Sequence, residues 1–435
     1  MESAVLSVLN KHCPPGATLA VGLSGGEDSM CLISVLLRVL DKSRIKAVHV
    51  QHGIRGESAL ADAEFTEKFC RENGITLYRF DADVPSLAKR SGISVESAAR
   101  QYRKEIFERI LSEKKADFIV LAHHLLDQAE SVYMHVFRGS GAGGVKGMSE
   151  CDGKYLRPLI SVDKSDVNEY VRLNKIAYCT DETNGDTAYN RNFIRNKVIP
   201  LVSARYDAVS AAIRLAALAK ADDDFIYSLV DNNDFVTGEN QCSFSVENLL
   251  KPYALASRYA LTAMKKAGLT VDVEKKHVDG VISLAEMQNG KKIALPHGYE
   301  AAREYDRIAV YYKRLPERDC APYAEGITPY SAGVVYVLPA EKKFAAGVTV
   351  FDGDKIPPSA VIRFRREGDV FKPFGGGTKK LKEYLIDRKI PSRTRDRLAL
   401  IAVDNRVLVI AGVQISDDVK ITNETKNIMK FIYEE

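Results

Sequence analysis

The sequence of 435 residues contains no tryptophan, and no two of its seven scattered cysteines are spaced as CxxC. Disulfide frameworks, zinc sites and iron–sulfur sites use recurring cysteine spacings, so this pattern argues against all three. No stretch approaches the roughly 20 apolar residues of a membrane-spanning helix, and the first residues lack the basic start and apolar run of a secretory signal. We therefore expect a cytoplasmic protein with no membrane partner.

Charge is nearly balanced over the whole chain, with a net value of only +4 at pH 7. Its distribution is uneven, because residues 363–397 contain twelve Lys or Arg against five Asp or Glu. Clustered positive charge is typical of a surface that binds nucleic acid. A solvated basic face gives the same pattern, so both interpretations stay open.

The first 200 residues alternate between strand-like and helix-like runs. Short apolar runs at residues 18–23, 46–52, 75–80 and 118–123 predict strands, with helical spacing of apolar residues between them. This alternation predicts a parallel sheet covered by helices on both faces, in which ligands bind beyond the carboxyl ends of the strands. We expect an α/β domain over residues 1–208.

The pattern then changes to helical runs at residues 209–230 and 252–267, which predict a mainly helical middle domain over residues 209–315. Short strand-like runs follow near its end. The stretch from 312 to 331 has several prolines and no clean period, so it is predicted to be a linker. Residues 332–435 combine strand runs with a basic helix, and we expect them to form a small, basic α+β C-terminal domain.

The sharpest local pattern is Leu23-Ser24-Gly25-Gly26-Glu27-Asp28-Ser29, where the first predicted strand turns into the first predicted helix. Its two glycines allow the backbone to approach an anion closely, and the start of the helix presents unpaired N–H groups to it. The hydroxyls of Ser24 and Ser29 can donate to phosphate oxygens. Asp28 beside phosphates implies a cation between them, so we assign it to Mg²⁺.

This loop is not a Walker A motif, because GxxxxGK[ST] does not occur in the chain. It resembles the SGGxDS signature of the PP-loop ATP pyrophosphatases, in which the loop holds pyrophosphate while the α-phosphate is attacked. That resemblance implies ATP as cofactor and an adenine nucleotide alpha hydrolase-like fold. Residues 139–144 fit GxGxxG, but they follow a predicted helix and so lack the context of a dinucleotide site.

Further motifs resemble those of one PP-loop family, the tRNA(Ile)-lysidine synthetases. They are His49–Arg55 (HVQHGIR), Glu96–Arg100 with Arg103 (ESAAR..R), Ala122–Ser131 (AHHLLDQAES), Arg138–Gly141 (RGSG), and Arg157–Leu159 with Asp181–Asn184 and Arg191–Arg195. Residues 368–373 and 379–382 also look like that family's C-terminal domain. The resemblance covers nearly the whole chain and is firmest over residues 18–200 and 363–425.

What the resemblance implies is a ligase that attaches lysine to C2 of the first anticodon cytidine of a tRNA(Ile) with a CAU anticodon. The base is first adenylated by ATP with loss of pyrophosphate, and the ε-amine of lysine then displaces AMP to give lysidine. The implied partners are that tRNA and free lysine, and we expect the middle domain, residues 209–315, and the basic C-terminal domain, residues 332–435, to bind the tRNA. The sequence does not determine the oligomeric state, and a homodimer is one arrangement that it allows.

The loop and the resemblance together give a set of expected site residues. As catalytic residues we expect Asp28, Asp127 and Glu130, with Asp28 and Asp127 also binding the metal and Asp127 or Glu130 acting as base. Residues expected to contact ATP are Ser24, Gly25, Gly26, Glu27, Asp28, Ser29, His52, Arg55 and His123. Residues expected to contact tRNA or other phosphates are Arg100, Arg103, Arg138, Arg191, Asn192, Arg195, Lys379, Lys380 and Lys382.

One position departs from the family pattern, since Leu126 stands where an additional aspartate is usual. The expected metal role then rests on Asp28 and Asp127. His123 and His124 lie at a predicted strand end, where adjacent side chains point to opposite faces. We expect one of them near the nucleotide and one with a structural role.

Several alternatives stay open. The arginines at 100 and 103 also fit a solvated helix face. Residues 191–195 also fit a segment that only caps and stabilises a helix. The nearest rival function is that of a 2-thiocytidine synthase, although such enzymes typically carry CxxC pairs. An amidating synthetase that makes GMP or NAD would lack a basic RNA-binding tail. An inactive RNA-binding protein is a third alternative, which Leu126 favours.

Overall fold

The computed structural model describes residues 1–53, 57–180, 190–313, 320–330, 333–340 and 348–434, without the side chains of 57–59. The chain divides into two compact units, Met1–Phe225 and Ile226–Glu435. Within the described ranges, no helix is both long and apolar enough to cross a membrane. The finer division into three domains at the boundaries given above remains a prediction.

The first unit is built on a sheet of six described strands. These are β1 (Leu19–Gly22), β2 (Ile45–Gln51), β3 (Thr76–Asp81), β4 (Phe118–Val120), β5 (Cys151–Asp152) and β6 (Tyr155–Leu156). Their order is β3-β2-β1-β4-β6-β5, and all pairs are parallel except the hairpin of β5 and β6. The predicted parallel α/β sheet is confirmed, and its chain order reverses between β1 and β4, where such sheets bind ligands.

Helices that cover both faces of this sheet, and others that pack beside it, complete this part of the chain. They are α1 (Glu2–His12), α2 (Glu27–Val39), α3 (Glu57–Asn73), α4 (Val84–Ser91), α5 (Val95–Ser112), α6 (Leu125–Phe137), α7 (Ala142–Val145), α8 (Lys164–Leu173), α9 (Asn190–Phe193), a π-helical turn (Ile194–Val198), α10 (Ile199–Ser203) and α11 (Ala208–Ser228). On β1, Leu19 and Val21 pack into the core with α2 and α8, whereas Ala20 packs with α5 on the opposite face. Burial on both faces explains why β1 is a continuous apolar run.

A separate apolar core joins α6, the helical stretch 190–203 and α11. It includes Ala129 and Val132 of α6, Ile194 of the stretch and Ala212 of α11. Leu126 packs against this core and is partly buried. This packing places residues 190–203 beside α6, although 52 residues of sequence separate the two elements.

The second unit begins with an antiparallel sheet and two helices. Its elements are β7 (Val236–Gly238), β8 (Gln241–Ser245), α12 (Tyr253–Lys266), α13 (Lys275–Ser283), β9 (Lys292–Ala294), β10 (Tyr299–Glu304) and β11 (Arg307–Tyr312), with strand order β7-β8-β11-β10-β9. Phe244 of β8 and Val310 of β11 pack against Tyr259 and Met264 of α12. Strands therefore accompany the helices that the sequence predicts in this segment.

The tail has the expected α+β character. Its described elements are β12 (Cys320–Pro322), β13 (Gly326–Tyr330), β14 (Gly333–Pro339), β15 (Thr349–Asp352), β16 (Val361–Arg363), β17 (Val370–Phe371), β18 (Lys379–Lys380), α14 (Leu381–Asp387), α15 (Ser392–Arg395), β19 (Leu400–Val403), β20 (Arg406–Ile410), β21 (Gln414–Ile415) and β22 (Ile428–Glu434). One sheet has the order β12-β16-β19-β20-β17-β18 with β21 beside β20, and the other has the order β13-β14-β22-β15.

The prediction of an irregular linker at residues 312–331 is wrong where the structure describes it. β12 pairs with β16, and β13 pairs with β14. Both β12 and β13 are edge strands, which tolerate Pro322 and Pro329 because one side of an edge strand forms no ladder hydrogen bonds. The prolines that suggested a linker therefore mark the edges of two sheets.

Candidate active site

The Gly-rich loop connects β1 to α2 at the carboxyl edge of the parallel sheet. Gly25 has a φ of +88°, which favours glycine, and Gly26 is the N-cap of α2. A Cβ atom at Gly25 would lie 3.3 Å from Cγ2 of Thr66, so the loop is also closely packed from behind. The backbone therefore turns directly into a helix of 13 residues, whose first N–H groups can bind an anion.

The two serines of the loop lie together. Their hydroxyl oxygens are 3.2 Å apart, and the hydroxyl of Ser29 donates to the carbonyl oxygen of Gly26 at 2.9 Å. The Gly26 N–H in turn donates to the hydroxyl oxygen of Ser24 at 3.3 Å. Ser24 is exposed and Ser29 is buried, so Ser24 is the hydroxyl that an approaching phosphate meets first.

Asp28 is held by a lysine to which the sequence analysis gave no role. Nζ of Lys164, at the start of α8, lies 2.5 Å from Oδ1 of Asp28 and 2.8 Å from Oε2 of Glu27. Burial alone would raise the pKa of Asp28, but hydrogen bonds and charges from His124 and Lys164 outweigh it and lower this pKa to about 2. A single lysine 136 residues away carries no recognisable sequence signal.

His124 connects the phosphate loop to α6. The N–H of His124 donates to Oδ2 of Asp127 at 3.0 Å, and Nδ1 of His124 accepts the N–H of Asp127 at 3.4 Å, which forms a reciprocal cap of α6. On its other side, Nε2 of His124 lies 3.5 Å from Oδ2 of Asp28. This ring is only 1% exposed, so the cap fixes it between the two carboxylates.

His123 has a different environment. β4 ends at Val120, so the alternation of side chains along a strand does not apply to the two histidines. Nδ1 of His123 is buried and has no hydrogen-bond partner in the part of the chain that the structure describes. Burial is the main cause that lowers the pKa of His123 to about 4; Asp127 opposes this change, and nearby arginines add to it. These arginines are Arg191, Arg157 and Arg103.

This lowered pKa predicts a stability change with pH. Folding favours the neutral ring, so the contribution of His123 is fully present above about pH 6.5 and is lost as the pH falls from 6.5 to about 4. Urea unfolding between pH 4 and 7 should therefore give a shallower loss of unfolding free energy in His123→Gln than in the parent protein. Equal slopes in the two proteins would contradict the assignment.

Two carboxylates of α6 face two arginines of the neighbouring helical stretch. Nη2 of Arg191 and Nη2 of Arg195 lie 3.1 Å and 2.8 Å from Oδ1 of Asp127. Nε of Arg191 lies 2.7 Å from Oε2 of Glu130, and Nε of Arg195 contacts Oε1. The spacings i,i+3 and i,i+4 place each pair on one helix face. We call Asp127, Glu130, Arg191 and Arg195 the ion cluster.

The ion cluster brings together residues that the sequence analysis assigned to different roles. The side chain of Glu130 is fully buried and that of Asp127 is 10% exposed, whereas those of Arg191 and Arg195 are 34% and 29% exposed. Burial would raise the pKa of Asp127, but the charges of His124 and Arg191 outweigh it and lower this pKa. The carboxylates are therefore neutralised from within the protein, while the arginines reach the surface.

The residues present fit a magnesium ion at one carboxylate. Mg²⁺ commonly binds one or two carboxylates together with substrate phosphates. Asp28 suits that role, since its side chain is 34% exposed beside the loop. Asp127 is much less accessible, with a side chain that is 10% exposed, and no group of three His, Cys, Asp or Glu suited to a metal lies within the described ranges. The assignment of Asp127 to the metal remains a prediction.

Further arginines lie close to the ion cluster. Arg103 of α5 is exposed and lies near Arg100 and Arg191, whose positive charges act on it. Arg157 follows β6, and its Nη1 donates to the carbonyl oxygen of Ser149 at 3.0 Å. Guanidinium groups that repel one another at a surface are typical of a site whose negative charge comes from a ligand.

The other expected site residues are placed as follows. Arg55 lies outside the described residues, as do residues 181–189. His52 follows β2, and its carbonyl oxygen accepts the N–H of Val84 at 3.1 Å. Asn192 lies between Arg191 and Arg195 on the same helical stretch, and Arg138 is the exposed C-cap of α6.

Lys379, Lys380 and Lys382 lie in the second unit, on β18 and α14. Nζ of Lys379 lies 2.7 Å from Oδ2 of Asp387, and the other two side chains are exposed. Not every basic residue in the run around these lysines lies at the surface. Arg363 is 1% exposed and pairs with Asp369 through two hydrogen bonds of 2.7 Å and 2.9 Å, so it stabilises the tail from inside.

A parallel sheet whose first strand leads into this Ser-Gly-Gly loop, with an aspartate in the first turn of the next helix, defines a PP-loop enzyme that uses ATP. The PP-loop domain family matches residues 1–202, and the family described as the TilS substrate C-terminal domain matches residues 360–431.

The whole chain is similar to curated enzymes of one kind. It is 32% identical to a tRNA(Ile)-lysidine synthase of Caldanaerobacter subterraneus subsp. tengcongensis, over 95% of this chain and 93% of the relative. It is 34% identical to a tRNA(Ile)-lysidine synthase of Clostridium acetobutylicum, over 95% of this chain and 94% of the relative. The chain belongs to the tRNA(Ile)-lysidine synthase family, which confirms the resemblance seen in the sequence, and it is a ligase.

Proposed function

We propose that this protein joins free lysine to C2 of the first anticodon cytidine of the CAU-anticodon tRNA(Ile), with conversion of ATP to AMP and pyrophosphate through an adenylated base. The observation that carries the proposal is a continuous series of contacts from the phosphate loop to the ion cluster, through Lys164, Asp28, His124 and Asp127. It supports two consecutive steps at adjoining positions. Membership of the family supports the choice of substrate.

In the first step, the C2 oxygen of the cytidine attacks the α-phosphate and pyrophosphate departs. The hydroxyl of Ser24 and the first N–H groups of α2 stabilise the negative charge that develops on the phosphates. A magnesium ion held by Asp28 would neutralise further phosphate charge. Lys164 places an ammonium group at the same end of the loop, where it favours the departure of pyrophosphate.

In the second step, lysine needs an anion for its ammonium group and a cation for its carboxylate. The ion cluster offers the cation, through the partly exposed guanidinium groups of the helix that faces α6. Between the two carboxylates we assign the base to Asp127, because its side chain is 10% exposed whereas that of Glu130 is fully buried, and because it contacts the loop through His124. Its lowered pKa makes it a weak base, which suffices once attack on C2 has made the amine proton acidic.

The tRNA is bound in this proposal by two basic regions. One is the group of arginines near the ion cluster, and the other is the set of lysines at the start of α14. Phosphate contacts of this kind give an affinity that falls as salt rises. The unpaired anticodon bases would be recognised by stacking and by hydrogen bonds to their edges. A tRNA substrate and free lysine favour the cytoplasm as the location.

Two labels test the proposal in one reaction. With ATP labelled at the α-phosphate, Mg²⁺ and a transcript of the CAU-anticodon tRNA(Ile), label should enter the tRNA when lysine is left out. Addition of labelled lysine should release that label as AMP and replace it with lysine. A methionine-accepting tRNA with the same anticodon should take neither label. Release of AMP without labelled tRNA would contradict the adenylated base, and absence of lysine from the tRNA would reject the function.

A further inference from the structure

Phe137 is an exposed aromatic side chain at the end of the helix that carries both carboxylates of the ion cluster. It is 64% exposed, although it is fully apolar. The ring of Tyr133 is stacked behind it, with centroids 6.2 Å apart and planes 23° from parallel. The hydroxyl of Tyr133 donates to the carbonyl oxygen of Ala208 at 2.8 Å. Phe137 is therefore supported from below by a ring that is itself held in place.

The position of Phe137 relates it to the site. It follows Glu130 by seven residues on α6, which is about two helical turns, so the two side chains share one face of the helix. The corresponding distance along the axis is about 10 Å. A nucleotide that flanks the target cytidine, which adjoins the ion cluster in the proposed function, can reach over that distance.

Positive charge flanks the ring. Arg138 is the next residue and is the exposed C-cap of α6. The pKa of His135, two residues before Phe137, is lowered first by burial and then by the charges of Arg138 and Arg100. A phosphate next to a base stacked on Phe137 would meet Arg138. An exposed ring among arginines is an arrangement that binds unpaired nucleotides with little dependence on their sequence.

We propose that Phe137 is a stacking platform for an unpaired base of the anticodon loop next to the target cytidine, and that it positions the loop over the ion cluster. This inference rests on the proposed function for its substrate. A second copy of this chain is the competing occupant of an exposed ring. The flanking arginines favour RNA over that occupant, because they complement its phosphates.

The absence of tryptophan from the chain allows a direct test. Phe137→Trp introduces one indole at the platform, and Leu173→Trp introduces one at an equally exposed position, 64%, at the end of α8. The next residue, Asn174, accepts a hydrogen bond from Arg38 near the end of α2, so Leu173 lies away from the phosphate loop at the start of that helix. A CAU anticodon stem-loop should quench the first indole in a saturable way and leave the second unchanged.

Kinetics provide the second measurement. Phe137→Ala should raise the KM for tRNA by about 5- to 150-fold, the range expected for the loss of one base–aromatic stack, with a much smaller change in kcat. Phe137→Tyr should restore the parent KM. An unchanged KM, or a loss confined to kcat, would overturn the platform.

The outcomes separate this inference from the proposed function. Quenching needs no chemistry, so quenching without lysine incorporation would reject the function and keep the platform. Lysine incorporation with no quenching, or with equal quenching of both indoles, would reject the platform and keep the function. If Phe137→Ala dissociated a dimer in sedimentation and left the KM for tRNA unchanged, the exposed ring would be a contact between copies.

Discussion

Replacement of Asp28 by asparagine should lower the rate of lysine incorporation by about a hundredfold to a thousandfold and leave the protein folded. The amide keeps the shape of the side chain but removes the charge that faces the phosphate loop. In this variant Lys164 still pairs with Glu27 at 2.8 Å, and His124 still caps α6 through its contact with Asp127. Neither group that contacts Asp28 therefore loses all of its partners. Initial rates with labelled lysine measure the first effect, and thermal unfolding measures the second.

Glu27→Gln is the matched control for that variant. Glu27 is the preceding residue, contacts the same lysine and is 22% exposed. In the proposed site Glu27 meets ATP through its backbone N–H at the start of α2, which Glu27→Gln keeps, and a partly exposed ion pair contributes little, so the rate should fall by no more than about fivefold. Equal losses in the two variants would show that the pairing of Lys164 matters and that Asp28 has no special role at the phosphates.

The parts of the fold that the sequence predicts are those set by local requirements. Such requirements each leave a pattern within about ten residues of sequence. Examples are a strand buried on both faces, a turn that needs glycine and a helix with an apolar stripe. The strand at Leu19–Gly22 accordingly lies within one residue of each end of the apolar run at 18–23 that predicts it. Prolines mislead at residues 320–330, because pairing of an edge strand depends on a partner that is distant in sequence.

The sequence could not predict that acidic and basic side chains far apart along the chain neutralise one another in the site. The motifs identify Asp127, Glu130, Arg191 and Arg195 as polar residues with roles. They do not reveal that the acidic pair and the basic pair face each other, which depends on how α6 packs with residues 190–203. The i,i+3 and i,i+4 spacings were the available signal, since charges so spaced share a helix face.

Leu126 takes on a structural role that also bears on activity. It packs against the apolar core shared by α6 and the facing helical stretch, so it helps hold the arginines opposite the carboxylates. In this chain, an aspartate at position 126 would place its carboxylate against apolar side chains. The contacts from Asp28 through His124 to Asp127 are complete without it, which weakens the interpretation of an inactive RNA-binding protein.

Glu130→Gln should lower the free energy of unfolding of the first unit by about 3 kcal/mol, near the lower end of the range for breaking a buried ion pair. The fully buried carboxylate accepts hydrogen bonds from both arginines, so its loss leaves two guanidinium groups with one partner. The two guanidinium groups are partly exposed, so water can solvate part of their charge, which limits the loss of unfolding free energy. Urea unfolding of the parent and the variant measures the difference.

An exposed pair in the same unit provides the comparison. Lys220 and Asp224 form an i,i+4 pair on α11 with side chains 49% and 55% exposed, so Asp224→Asn should change the unfolding free energy far less. Addition of Arg195→Met to Glu130→Gln should cost less than the sum of the two single changes, because the arginine has already lost a partner. If Glu130→Gln were as mild as Asp224→Asn, the arginines would not depend on the carboxylates for their position. They would then be held by helix packing alone, and the ion cluster would be a binding surface without a structural role.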